Sequence, residues 1–154
     1  MELRHGADRA IVRSLQSNAR QTNRSLAADA HLAPSSTLGR VRELERRKII
    51  RGYHADVDLA ALGRHLEALV FVRLQPKSGE VVNRFVDHVW QLTETIGIQV
   101  ITGIEDIVIH LAVADPEQLR RVVLTEISSQ PAVYDERTSI LFEHRTKKVI
   151  EPID

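Results

Sequence analysis

Between Pro34 and Arg47 the chain reads PSSTLGRVRELERR. Hydroxyls at Ser35, Ser36 and Thr37 are followed by guanidinium groups at Arg40, Arg42, Arg46 and Arg47. If this stretch is a helix, its chemistry suits double-stranded DNA. Hydroxyls and free N–H groups at a helix N-terminus bond phosphates or base edges, and arginine forks onto guanine in the major groove. An amphipathic helix with a solvated charged face has the same composition, so the stretch alone does not decide between the two. Other chemistry is not indicated. His5, His31, His54, His65, His88, His110 and His144 show neither HxxxH nor HxH spacing and share no carboxylate pattern, so no metal site is expected. His110 alternates with Ile109 and Leu111 and reads as a surface or interface histidine. No GxSxG, P-loop or GxGxxG motif occurs. The acidic pair Glu105-Asp106 has no nucleophile beside it. No catalytic residue, enzyme activity or cofactor is expected.

The elements that must position the helix can be read from periodicity. Pro34 suits the first turn of a helix, and Leu38, Val41 and Leu44 recur as its apolar stripe. Ala7 to Ser17 is expected to be a first helix, with Ile11, Val12 and Leu15 inward and Asp8 at its positive end. Thr22 can cap a second helix running to about Ala30, with Leu26, Ala27 and Ala30 inward. Three short helices with a basic third make a helix-turn-helix. Ile49 to Asp58 reads as extended and stiff, with a pairing partner of its own, and Leu59–Gly63 as one turn. Beyond it the pattern alternates. Strands are expected at 68–74, 96–102, 107–113 and 133–144. Helices are expected at 81–92, with Val82, Phe85, Val86, Val89 and Trp90 on one side, and at 116–128. That order, β-α-β-β-α-β, is the ferredoxin-like arrangement, with helices on one sheet face only. The other face needs a cover, which predicts homo-oligomerisation. The fold class is therefore α+β, divided as 1–48, a linker at 49–66, and 67–154.

The 154 residues include no cysteine, which excludes disulfides and fits a reducing cytoplasm. No apolar run approaches a membrane span, and the charged N-terminus has no signal core. The formal net charge of zero hides an asymmetry. Met1–His54 holds eleven Lys and Arg against five Asp and Glu, a balance of +6, whereas the remainder holds ten against sixteen, or −6. A basic first third is the electrostatic footprint of a polyanion-binding module.

Several motifs, in this order, carry a resemblance. They are Asp8-Arg9-Ala10-Ile11-Val12, Leu26-Ala27, Leu32-Ala33-Pro34-Ser35-Ser36-Thr37, Arg40-Val41, Leu44-Glu45, Ile49-Ile50-Arg51-Gly52-Tyr53, Leu62-Gly63 and Thr102-Gly103-Ile104-Glu105-Asp106. From about Asp8 to Val149 the chain resembles the Lrp/AsnC family of transcriptional regulators. The resemblance implies a winged-helix-type DNA-binding domain, a C-terminal domain and linker strand that form a dimer, and further assembly, often to an octamer. It also implies a small effector, often an amino acid, bound between dimers at the glycine turn. Here that is Thr102, Gly103, Ile104, Glu105 and Asp106, joined by Thr138 of the last strand. Free N–H groups at the turn can take an α-carboxylate, and Glu105 or Asp106 an α-ammonium. A plain hairpin, with Gly103 at positive φ and Asp106 satisfying the turn, fits the same residues.

The chain departs from the family pattern in three places. Ala33 stands where a capping Ser is usual, Lys48 where Gly usually ends the third helix, and Gly6-Ala7 where an apolar residue and Asp usually precede the first. Two other functions compete with an effector-responsive regulator. One is an effector-independent architectural DNA-binding protein. The other is a small amino-acid-handling enzyme, against which the basic first third argues.

Overall fold

The computed structural model describes residues 6–153, so His5 and the charged N-terminus lie outside the described residues. The chain forms two compact units. One runs to Asp56 and takes back the C-terminal segment from Arg145; the other is Val57–His144.

The first unit holds α1 (Gly6–Ser17), α2 (Asn23–Asp29) and α3 (Pro34–Arg46). Thr22 caps α2 by accepting from the Ser25 N–H, and Pro34 starts α3 as expected. Ala33 precedes it without a side-chain cap. Ile11, Leu26, Ala27, Ala30 and Leu44 are buried, with Leu15, Val41, Ile49 and Ile50 packed alongside Ile11, Ala30 and Leu44. The inward stripe of α3 differs from the expected one. It is Thr37, Val41 and Leu44, spaced four and three residues apart, and Leu38 is 41% exposed. A hydroxyl can be buried there because Thr37 donates to the Ala33 carbonyl at 3.1 Å, one turn back. Lys48, just past α3, sits at φ +56, where the backbone usually calls for glycine.

Residues 51–58 form no regular structure, so the expected linker strand has no ladder partner among the described residues. Tyr53 donates to Glu45 at 2.9 Å. Burial first, and then the bond and charge of Glu45, push its pKa up to about 12. The C-terminal segment, expected to go with the second half, belongs to the helical unit. The Gln16 amide exchanges two hydrogen bonds with the Ile150 backbone, and Arg13 pairs with Glu151 at 3.1 Å.

The second unit has β1 (Leu66–Leu74), α4 (Gly79–Trp90), β2 (Thr95–Val100), β3 (Ile107–Val113), α5 (Pro116–Val122) and β4 (Val133–Leu141). The sheet order is β2-β3-β1-β4, and every pairing is antiparallel. This is the expected split arrangement. The expected single helix at 116–128 leaves α geometry at Val123 and finishes as a π-helical stretch to Ser128. β1 is fully buried on one face only. Its even residues Ala68, Val70, Val72 and Leu74 are buried against Phe85, Val89, Leu119, Val122 and Ile127, while Leu69 and Phe71 on the other face are half-covered. Burying a side chain of this size contributes about 1.5–3 kcal/mol. Trp90 is not in this core; it is 58% exposed. The stripe of α4 is Val82, Phe85 and Val89, and one further residue rotates Trp90 about 100° off it.

Lys in the left-handed region is strained by roughly 1 kcal/mol, which glycine would relieve. Lys48→Gly should therefore raise the urea midpoint with an unchanged slope, a gain of up to about 1 kcal/mol.

Candidate functional site

Helix α3 presents an outward face. Ser35, Ser36, Leu38, Gly39, Arg42 and Arg46 are exposed, and α3 meets the core through Thr37, Val41 and Leu44. The Asn23 amide donates to the Pro34 carbonyl at 2.8 Å, which fixes the start of α3 against α2. In the turn between them, His31 takes φ +53, and the Leu32 N–H returns to the Ala27 carbonyl at 2.9 Å.

The seven residues expected to contact DNA are not equivalent. Ser35, Ser36 and Arg42 stand on the open face. Arg46 is there too, but it grips Glu43 through two bonds of 2.8 and 2.6 Å. That bond lowers the Glu43 pKa and raises that of Arg46. Thr37 is fully buried and cannot reach a base edge from this helix, a correction to the expected set. Arg40 is half-buried and pairs at 2.8 Å with Asp8, whose own side chain is buried. This pair ties α3 to the first turn of α1. Arg47 is also half-buried; its Nε is buried and makes no hydrogen bond. Leu38 also stands on this face, against the inward place expected of it. Its four-residue distance from Arg42 was the available signal, and its hydropathy spoke against it.

In the second unit the β2–β3 connection is the turn Ile101–Asp106, closed by the Ile101 N–H bonding to the Asp106 carbonyl at 2.9 Å. Gly103 has φ +132, with open space where a Cβ would stand, and Thr102 and Ile104 are exposed, Ile104 to 77%. Asp106 is the anchor. Its N–H donates to the Val72 carbonyl at 2.9 Å, and its Oδ2 accepts from the Leu74 N–H at 2.8 Å. Its Oδ1 pairs with Lys77 at 2.9 Å. Burial pushes the Asp106 carboxyl up, but the Leu74 N–H and the Lys77 ammonium outweigh this and leave it below the ordinary 3.8. Glu105 lies 3.7 Å from Arg137, which rests 4.6 Å over the Phe71 ring.

Thr138 is not gathered with this turn. It is paired with Val70 on β1, whose side chain enters the core, so Thr138 sits on the helix side of the sheet. There it donates to Glu136, which also accepts from Ser128. Arg137 and Glu105 belong to the opposite face.

A basic helix-turn-helix followed by a β-α-β-β-α-β domain with an exposed glycine turn defines a two-part regulator, one unit for DNA and one for a ligand. Two family models match these parts: a winged helix-turn-helix DNA-binding model over residues 4–51, and the Lrp/AsnC ligand-binding domain over residues 67–149. The chain is 34% identical to the HTH-type transcriptional regulator AldR of Mycolicibacterium smegmatis, over 89% of this chain and 80% of that protein. It is 30% identical to the leucine-responsive regulatory protein of Escherichia coli, over 88% and 83%. Its fold superimposes with a TM-score of 0.86 on a transcriptional regulator from Neisseria meningitidis solved as a complex with L-Met, at 26% identity and covering 94% of each chain. The protein belongs to the Lrp/AsnC family and is a DNA-binding transcriptional regulator.

A group whose folded-state pKa is depressed adds stability above its unfolded pKa and loses it as pH falls through the folded value. Asp106→Ala also strands the Leu74 N–H. It should cost about 1–3 kcal/mol at pH 7 in urea unfolding, and the gap to wild type should narrow at pH 3.

Proposed function

We propose that this regulator senses a free amino acid and that the Thr102–Asp106 turn is where the amino acid binds, completed by a second copy of the chain. The observation that carries the reading is the turn itself. Gly103 holds a left-handed conformation with nothing over it, while Asp106 anchors the base of the turn to β1. Exposed backbone N–H groups at such a turn suit an α-carboxylate. Both Asp106 oxygens are taken by Leu74 and Lys77, which leaves Glu105, at the longer distance from Arg137, to receive the α-ammonium. The Neisseria relative was solved with an amino acid, which supports the same ligand class here. Thr138, on the other sheet face, contributes only if a neighbouring copy presents it.

The sheet supports the second copy. Leu69, Phe71, Val108 and Leu141 on the face away from the helices are each half-buried, and residues 51–58 lack a ladder partner. A two-fold pairing of sheets and linkers would cover both, and further assembly of dimers, to an octamer, would bring glycine turns together. The protein acts on cytoplasmic DNA and is not an enzyme; its relatives are transcriptional regulators. No helix of the described residues is long and apolar enough to cross a membrane.

DNA contact is assigned to the open face of α3. Arg42→Ala should weaken operator binding and reduce the slope of log K against log salt by about 0.9, and Arg46→Ala by less because Glu43 already partners it. Electrophoretic shifts over a salt series measure this. An unchanged slope in Arg42→Ala removes that residue from the interface.

The ligand is found by thermal shift of the full chain with each common amino acid, followed by calorimetry and light scattering. At a hundred-fold excess over Kd the stabilisation should be about 2.7 kcal/mol. Gly103→Val forces a β-branched residue to positive φ and should abolish the shift, and Glu105→Gln should weaken it. If no amino acid stabilises the wild type, the effector-independent architectural reading replaces this one.

A further inference from the structure

The register of β1 on β3 places Glu67 opposite Ala112 and Leu69 opposite His110, so Glu67 and His110 are diagonal neighbours on the sheet face away from the helices. His110 is 9% exposed, and its Nε2 lies 2.7 Å from Glu67 Oε2. One hydrogen bond to a carboxylate is a sufficient reason to bury a histidine. A second imidazole stands near the same oxygen. His144, three residues beyond the end of β4, brings its Nδ1 to 3.7 Å from Glu67 Oε2. The two rings meet edge to face, with centroids 5.2 Å apart and planes at 73°. One nitrogen from each ring and one carboxylate oxygen all lie within 4.8 Å of one another.

We propose that Glu67, His110 and His144 form a binding site for a divalent transition-metal ion of the zinc, cobalt or nickel class. Two neutral imidazoles and one carboxylate are the donors such ions prefer, whereas calcium and magnesium take oxygen shells. Tetrahedral ligands at about 2.1 Å from zinc stand roughly 3.4 Å apart. The 2.7 Å contact must open and the 3.7 Å contact close by less than 1 Å each, and the two imidazole nitrogens, up to 4.8 Å apart, must draw together by up to about 1.4 Å. His144 can adjust because it is exposed and stands outside the sheet ladder. β2 leaves room as well, for Gly97 is the residue paired with His110 and puts no side chain beside the ring.

In a single chain a path reaches the site from the edge of the sheet face that the proposed second copy would cover. A cleft of ≈ 290 Å³ is lined by Asp58, His65, Glu67, Glu143 and His144, among others. Three of those five are carboxylates, which favour a cation. Arg64 also lines the cleft, but its guanidinium is directed at the Ala112 and Thr93 carbonyls. Water or a cleft side chain would complete the coordination. Because His144 is the last residue of the sheet unit, the bound ion would fasten the chain at the point where it leaves the sheet.

The test uses the full chain with any affinity tag removed, stripped with chelator. Cobalt(II) is titrated and followed by its visible absorption, and zinc is then added in competition. The wild type should take one cobalt per chain with the bands of a low-coordinate site, and zinc should displace it. His144→Ala folds because the side chain is exposed, and Glu67→Gln keeps the shape of the carboxylate; each should weaken binding by about tenfold or more, the scale on which even outer-sphere partners act. His31→Ala, in the other unit, should leave affinity unchanged. Wild-type affinity no better than millimolar overturns the site, and so does equal affinity in both ligand variants.

Discussion

The two-residue alternation of β1 governs the ligand-binding unit. This strand is hydrogen-bonded on both edges, to β3 and to β4, so a one-residue slip would reverse every side chain in the middle of the sheet. In the observed register Ala68, Val70, Val72 and Leu74 go under the helices. Glu67, Leu69, Phe71 and Arg73 go to the other face. From that parity follow the core, the half-covered apolar face and the meeting of Glu67 with His110. The glycine turn is fixed to the same strand. Just before β3 begins, Asp106 supplies a further rung with its side chain, accepting from the Leu74 N–H where the backbone ladder has ended at Val72. The turn is thus rigid at its base and open at its tip.

The helical unit is organised differently. Its core is small, and specific polar contacts do much of the positioning. Asp8 and Arg40 join α1 to α3. Asn23 holds the start of α3, and Thr37 satisfies its own hydroxyl within the helix while filling the core. A buried partner such as Asp8 limits the freedom of Arg40, so the arginine acts as a strut for α3 first. The exposed face of α3 is narrower in basic groups than a count of basic residues suggests. It consists of the two serines, Leu38, Gly39, Arg42 and the Glu43-paired Arg46.

Strongly periodic elements were legible in the sequence. The residues of β3 and the start of α3 at Pro34 fall where alternation and proline place them, and the order of elements gave the topology. What was not legible depended on a choice between neighbours or on distant contacts. Leu38 and Thr37 compete for one inward position, and hydropathy favours the leucine, but the helix turns the threonine inward and an i−4 bond makes that tolerable. Trp90 carries the largest apolar side chain of α4, yet angle rather than size decides burial. Nothing local shows that the Gln16 amide will capture Ile150, or that Asp106 will be consumed by Leu74 and Lys77. His110, Glu67 and His144 are far apart in sequence, so no spacing rule groups them; only strand register does.

The anchored turn bears on how a ligand would act. A ligand changes DNA binding only through its different affinity for two states of the protein. If the turn had to fold around the ligand, much of the binding free energy would go into ordering it. Here Asp106 and the bond from Ile101 already hold the base, and Gly103 already occupies its unusual conformation. Little ordering remains to be done within one chain, so the binding free energy is available for choosing between assemblies. A coupling of about 1–3 kcal/mol, typical of such linkage, then suffices to redistribute oligomers that differ little in stability. Dimers that share a ligand between their turns would be favoured over those that do not, and the DNA units they carry would be regrouped accordingly. On the proposed reading the glycine turn would not need to move at all, because the change would lie in which copies of the chain stand together.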